Sequence, residues 1–278
     1  MTKWNPQLIR EKLIEKSKQL KIRLPQMQML LAQERFLARL FSLEEGRFFV
    51  WKGGSLLIRE YSTLEIPRYT VDIDLLLKGT DFKNTLDILK KACATSLDDG
   101  FEFSDIEVTP MQRETPYGGD RFEIQWSMFK NNNSTPLKLD ICAGDVVIPV
   151  TKNLSDLSLL PDELNIAVHI YPAEFIFAEK LETLFRFGTG NTRCKDLIDL
   201  WSISKLGLEK DNLKTSVEAC FKNRGKEFSF NELKNILEDA FFIKNMEKMS
   251  KANFDNLKLP PTSTLSEEVL LFCQKNLN

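Results

Sequence analysis

At 278 residues, with 42% hydrophobic and 28% charged side chains, the chain has enough apolar material for a core in one or two domains, which excludes a disordered protein. A net charge of −2 gives no overall attraction to nucleic acid or to an anionic membrane. No apolar run approaches the roughly 18 residues of a membrane helix, and the N-terminus lacks a signal-peptide pattern, so a soluble protein is expected.

The charge is unevenly spread. Residues 1–43 hold nine Lys or Arg against three acids, in two predicted helices at about 7–21 and 25–44 separated by Pro25. Such a basic helical entry suits the phosphate backbone of RNA, although Leu13, Leu20, Leu30, Leu31 and Leu37 equally suit a solvated helix pair packed on a core. Phe48-Phe49-Val50-Trp51 then reads as a strand, broken by Gly53-Gly54-Ser55 ahead of a helix from Leu56. Glycines allow close backbone approach to a ligand, the N–H groups at a helix start attract anions, and Ser55 can cap that helix or bind a phosphate oxygen.

The next strand, Val71 to Leu77, carries Asp72 and Asp74 in an apolar run. Positions two apart share a strand face, so these carboxylates repel each other and lose hydration unless a cation sits with them. A hard divalent ion such as Mg²⁺ is the natural occupant, since it takes oxygen ligands and shares its shell with substrate phosphates. Asp81 to Leu97 is predicted helical, and Phe101 to Val108, Arg121 to Phe129 and Pro136 to Cys142 are predicted strands. Asp140 lies where a neighbouring strand could extend the Asp72 and Asp74 site, whereas Asp145, after Gly144, reads as a turn residue. The only histidine, His169, falls in the strand-like Ala167 to Ile170 and is read as structural. Five scattered cysteines without CxxC spacing point to reduced thiols in a cytoplasm and give no zinc pattern.

From Pro172 onward the pattern is helical, with segments near 172–187, 193–205, 209–223, 231–250 and 264–277. Lys180 falls inside the apolar stripe of the first, stacked between Ile176 and Leu184. A lysine there must snorkel to water or find an anion. After Gly188-Thr189-Gly190, Asp196 and Asp199 are neighbours on one helix face, able to line a pocket or to form a solvated salt-bridged turn.

Lys52-Gly53-Gly54-Ser55, Arg68-Tyr69-Thr70-x-Asp72-x-Asp74, Phe177-Ala178-x-Lys180-Leu181 and Arg193-x-Lys195-Asp196-x-x-Asp199-Leu200 together resemble the AbiEii/AbiGii abortive-infection toxins of the polymerase-beta-like nucleotidyltransferase superfamily, over about residues 45–205. The stretch from Ser55 to Asp72, with Glu65-Ile66-Pro67, is longer than the commonest family spacing. The resemblance implies an α+β fold: a mixed-sheet nucleotidyltransferase core with N-terminal helices over 1–170, and a C-terminal helical bundle over 171–278. It implies that Lys52, Gly53, Gly54, Ser55 and Arg68 bind the nucleotide and that Asp72 and Asp74 hold Mg²⁺ or Mn²⁺. Lys180 is then a triphosphate contact, Asp196 rather than Asp199 joins the active centre, and Asp140 is a third acid serving as metal ligand or general base. Family members act as toxins of toxin–antitoxin pairs in phage defence, and some add nucleotides to the 3′ acceptor end of tRNA. The partners so implied are an NTP, RNA and an antitoxin protein. Two other readings stay open from the sequence: the same enzyme acting on a small molecule or a protein side chain, and a non-catalytic nucleotide-binding module.

Overall fold

The computed structural model describes residues 4–61, 63, 69–79, 82–111, 118–133, 135–160, 165–255 and 257–278. They fall into two compact units, the first drawn from within Met1–Glu60, Tyr69–Gly144 and Pro149–Ile170, the second from within Tyr61–Arg68, Asp145–Ile148 and Tyr171–Asn278. Together they give an α+β fold with a mixed sheet, N-terminal helices and C-terminal helices.

The first unit opens with α1 (Pro6–Leu20) and α2 (Leu24–Ser42). Asn5 starts α1: its side-chain oxygen accepts from the N–H groups of Gln7 and Leu8, and Pro6 takes the first helical position, where a missing N–H costs nothing. Pro25 likewise sits in the first turn of α2, so it begins that helix and does not merely divide two. From Met29 to Phe41 every residue of α2 is buried, including Glu34, Arg35 and Arg39. These charges survive burial because each has a partner. Asp99 accepts from Arg35 Nε at 2.6 Å and from Arg39 Nη2 at 2.7 Å, and Arg39 also donates to the Phe101 carbonyl at 2.9 Å. Glu34 accepts from Arg59 at 2.8 Å and from the Leu159 N–H at 2.8 Å.

The strands are β1 (Phe49–Lys52), β2 (Asp72–Leu77), β3 (Phe101–Pro110), β4 (Gly119–Met128), β5 (Asn131–Asn132), β6 (Leu137–Cys142), β7 (Val150–Asn153) and β8 (Ala167–Ile170). They form one sheet in the order β3-β4-β6-β2-β1-β8-β7, with β5 paired to β4. The β2–β6 and β1–β8 pairs are parallel and the rest antiparallel, so the sheet is mixed. Ile73, Leu75, Leu139, Ile141, Phe122 and Ile124 are buried, while the residues that alternate with them on β2 and β6 include Asp72, Asp74 and Asp140 on the opposite face. The helix expected from Asp81 to Leu97 is shorter, α4 (Thr85–Ala94), and residue 81 lies outside the described residues. Strand β7 had no sequence signal: it is four residues long, largely polar, and lies at a sheet edge.

The second unit holds α5 (Ala173–Phe187), α6 (Cys194–Ile203), α7 (Lys210–Asn223), α8 (Phe230–Leu237), α9 (Ala240–Phe254) and α10 (Thr262–Leu277). α5 packs on α6 and α7, and Phe185, Phe221 and Phe228 form a cluster with ring centroids 5.0 to 5.8 Å apart. The single helix expected over 231–250 is two. Asp239 accepts from the Phe242 N–H at 2.8 Å and so caps a new start, which the apolar periodicity across it had concealed. Among the described residues no helix is long and apolar enough to cross a membrane, and all five cysteines are free thiols.

Candidate active site

Register puts the candidate acids on one face of the sheet. Asp74 of β2 lies opposite Lys52 of β1 on one side and Asp140 of β6 on the other, and Asp140 in turn lies opposite Arg121 of β4. Asp72 is two residues before Asp74 and shares its face. All three acids are half-buried, which strengthens their mutual repulsion relative to a fully solvated surface.

Arg121 meets that charge. Its Nε donates to Asp140 Oδ1 and its Nη2 to Asp140 Oδ2, both at 2.6 Å, a two-pronged pairing that matches the guanidinium fork to the carboxylate. Nη2 also lies 3.8 Å from Asp72 Oδ2. The hydrogen bonds to Asp140 hold the guanidinium proton more tightly than usual, against a smaller opposing effect of burial. Asp140 is therefore half of an ion pair on this face, which the sequence did not reveal. Arg121 sits in a predicted strand, but only the β4–β6 register shows which acid it faces.

On the other side, the chain leaves β1 through Lys52 and turns at Gly53, whose φ of +71° lies in the left-handed region that favours glycine. A Cβ there would fall 2.0 Å from Asp74 Oδ2, so the turn and the carboxylate share one space. The helix that follows is α3 (Gly53–Leu56), continued by a π-turn over Leu57–Tyr61. Ser55 does not cap it. Ser55 is fully buried and its hydroxyl accepts from the indole N–H of Trp51 at 2.8 Å, because Trp51 points its polar edge into the core and needs an acceptor. Lys52 is 9% exposed, with Nζ 3.9 Å from Cys142 Sγ. Arg68 and Glu65-Ile66-Pro67 lie outside the described residues.

The oxygen donors Asp72 and Asp74 fit a hard divalent cation. Among the described residues no three of His, Cys, Asp and Glu are grouped to hold a metal ion, so an ion here would take this pair and complete its shell from water and phosphate oxygens, the pattern Mg²⁺ generally shows.

In the second unit Lys180 has found its anions. Its Nζ lies 3.0 Å from Asp196 Oδ1 and 2.7 Å from Asp199 Oδ2, and Arg193 Nε lies 2.9 Å from Asp196 Oδ2. Burial works to raise the Asp196 carboxyl, but Lys180 and Arg193 outweigh it and hold it below the usual carboxylate range. Both acids contact the lysine, and Asp196 also takes Arg193. Asp145, the competitor of Asp140, belongs to a different cluster: it pairs with Arg224 at 3.2 Å and accepts from the Tyr171 hydroxyl at 3.1 Å.

The model of the family described as nucleotidyl transferase AbiEii toxin, type IV toxin–antitoxin system, matches residues 35–267. Among solved structures, JHP933 from Helicobacter pylori superposes with a TM-score of 0.52 at 16% identity, covering 98% of this chain and 92% of that one. MenT4, a nucleotidyltransferase toxin from Mycobacterium tuberculosis H37Rv, gives 0.53 at 12% identity, covering 94% and 87%. No curated protein matches. At these identities the two structures speak for the fold, a nucleotidyltransferase fold; the match over residues 35–267 speaks for descent, and the chain belongs to the AbiEii nucleotidyl transferase toxin family of type IV toxin–antitoxin systems.

Proposed function

We propose that this nucleotidyltransferase moves a nucleotide from an NTP to the 3′ acceptor end of a tRNA, supported by Mg²⁺ or Mn²⁺ on Asp72 and Asp74. The observation that carries the reading is the seating of Asp74 against the Gly53 turn, where a Cβ would meet its carboxylate, with Asp72 two residues earlier on the same face of β2. A bound divalent ion supplies positive charge that offsets the charge growing on the reacting phosphate oxygens.

The chain's own groups do the rest. Lys52 and the backbone of the Gly53-Gly54-Ser55 turn take the nucleotide phosphates, while the buried Ser55 hydroxyl, bound to Trp51, holds the turn in place. The acceptor hydroxyl bonds to the α-phosphorus as the bond to pyrophosphate breaks, and its proton passes to a carboxylate of this face, with Asp140 the third acid available. Arg68, Lys180 and Asp196 enter through the family motif, as a nucleotide contact, a triphosphate contact and the group that orients the lysine. RNA as the acceptor is supported by α1, where Arg10, Lys18, Lys21 and Arg23 on and just after the helix are exposed or half-exposed. Action in the cytoplasm in phage defence, checked by a cognate antitoxin, belongs to the same reading, and membership of a toxin–antitoxin family supports it.

The test is incubation with each α-labelled NTP in turn, with Mg²⁺ or Mn²⁺, and with total RNA, tRNA oxidised at its 3′ end, or a protein lysate. Label is expected in intact tRNA and absent from oxidised tRNA. Label in protein, or in no macromolecule, overturns the reading.

A further inference from the structure

We propose that Arg121 is a resident counter-ion of the carboxylate face and weakens divalent-metal binding, so that a metal ion and its guanidinium compete for Asp72. The proposal rests on the assignment of Asp72 and Asp74 as the metal-binding pair.

The geometry gives Arg121 two attachments of unequal strength. Asp140 is the anchor, with both oxygens engaged at 2.6 Å, and Asp72 is the looser contact at 3.8 Å. Arg121 reaches this position from β4, whose register with β6 is continuous from Gly119 to Ile124, so the backbone beneath the pair is fixed by the sheet. The side chains of Arg121 and Asp72 are 36% and 32% exposed, open enough for an ion to arrive and for the guanidinium to move aside, whereas that of Asp140 is 17% exposed.

Three like charges on adjacent strands repel one another, and a resident cation among them lets the face stand without metal. That same cation repels a second one. A divalent ion drawn to Asp72 meets the guanidinium beside Oδ2, and the repulsion is felt in the metal affinity rather than in the fold. Because Arg121 acts through the carboxylates and not on the reacting atoms, it is a positioning residue. Its removal has a signature that a merely structural residue does not give: tighter binding.

The experiment titrates the full chain with Mn²⁺ alone and follows free Mn²⁺ by electron paramagnetic resonance, in the wild type and in Arg121→Gln, Arg121→Lys and Asp74→Asn. Arg121→Gln is expected to bind Mn²⁺ about tenfold more tightly, a modest factor for a partly exposed charge. Arg121→Lys keeps the positive charge and tests the same point in a protein with less disturbed packing; it should stay within about threefold of the wild type. Asp74→Asn should abolish binding. Unchanged or weaker affinity in Arg121→Gln, or equal tightening in Arg121→Lys, overturns the competition while leaving the metal pair in place. Mn²⁺ binding that survives Asp74→Asn overturns the metal pair itself, and with it this proposal.

Discussion

Gly53 and Asp74 occupy one space: a methyl group on the glycine would lie 2.0 Å from Asp74 Oδ2 and 2.7 Å from its Cβ. Replacing Gly53 by Ala therefore has two effects. The strain of a side chain at positive φ costs about 1 kcal/mol, and Asp74 must swing away from its seat. Nucleotide transfer should fall by on the order of 100-fold while the protein stays folded with a slightly lowered melting temperature. Transfer at the wild-type rate would show that the position of Asp74 is unimportant.

The acids themselves give the sharper test. Asp72→Asn and Asp74→Asn preserve shape and remove charge, so each should cut transfer by on the order of 100-fold or more, with the melting temperature in metal-free buffer changed little. Asp140→Asn breaks the pairing with Arg121 and should also slow transfer. If triphosphate binding persists in that variant while transfer is abolished, Asp140 acts on the proton. Near-normal transfer by the Asp74 variant in Mg²⁺ would remove the proposed ligand pair.

Asp72 and Asp74 were legible in the sequence because strand alternation alone puts them on one face, and the glycine turn beside them is visible as a break between apolar runs. Arg121 was not legible as a site residue: its meeting with Asp140 depends on which strands are neighbours and in what register, which no local pattern encodes. The same holds for Arg35 and Arg39. They counted as part of a basic surface in the sequence, yet both are buried on Asp99, 64 and 60 residues further along. Lys180 shows an intermediate case. Helical spacing put it in the apolar stripe, where it had to snorkel or find an anion, and the family motif pointed to a triphosphate; the structure pairs it with Asp196 and Asp199 of the next helix.

Lys180→Ala consequently costs more than catalysis. Asp196 and Asp199 have side chains 3% and 1% exposed, and removing their common cation leaves buried negative charge, a destabilisation of roughly 3 kcal/mol. The melting temperature should drop by several degrees together with transfer. Lys180→Arg returns a charge to the pair and should recover much of the stability, while the changed shape of the head group leaves transfer impaired. Full stability in the alanine variant would mean that the two acids do not depend on Lys180.

Asp99 gives a pH signature. Its burial works to raise the carboxyl, but Arg39 and Arg35 prevail and hold it below the ordinary carboxylate range. A depressed folded value contributes stability that is fully present above the unfolded value of about 4 and disappears as pH falls through the folded value. Melting temperatures from neutral pH down to about pH 3 should show Asp99→Asn well below the wild type near neutrality, where the lost stability is about 3 kcal/mol, with the gap closing in acid. A gap independent of pH would mean that the charge of Asp99 contributes nothing beyond its shape.

The remaining prediction concerns α1 and the turn that follows it. Arg10, Lys18, Lys21 and Arg23 are exposed and Lys12 and Lys16 half-exposed, whereas Arg35 and Arg39 are consumed inside the protein, so a backbone-phosphate contact of this region falls first to the exposed four. Replacing all four by Gln removes four positive charges without touching the core, since Leu13 and Ile9 hold the helix down from its other side. Each lysine or arginine that no longer meets a phosphate lowers the dependence of binding on salt by about one unit of log–log slope. The quadruple variant should therefore bind RNA more weakly at low salt, with a flatter salt dependence. Its KM for RNA should rise while kcat changes little, because the carboxylate face is untouched. An unchanged slope with unchanged KM would mean that RNA is held by another surface and that the charge of α1 is only a solvated helix face.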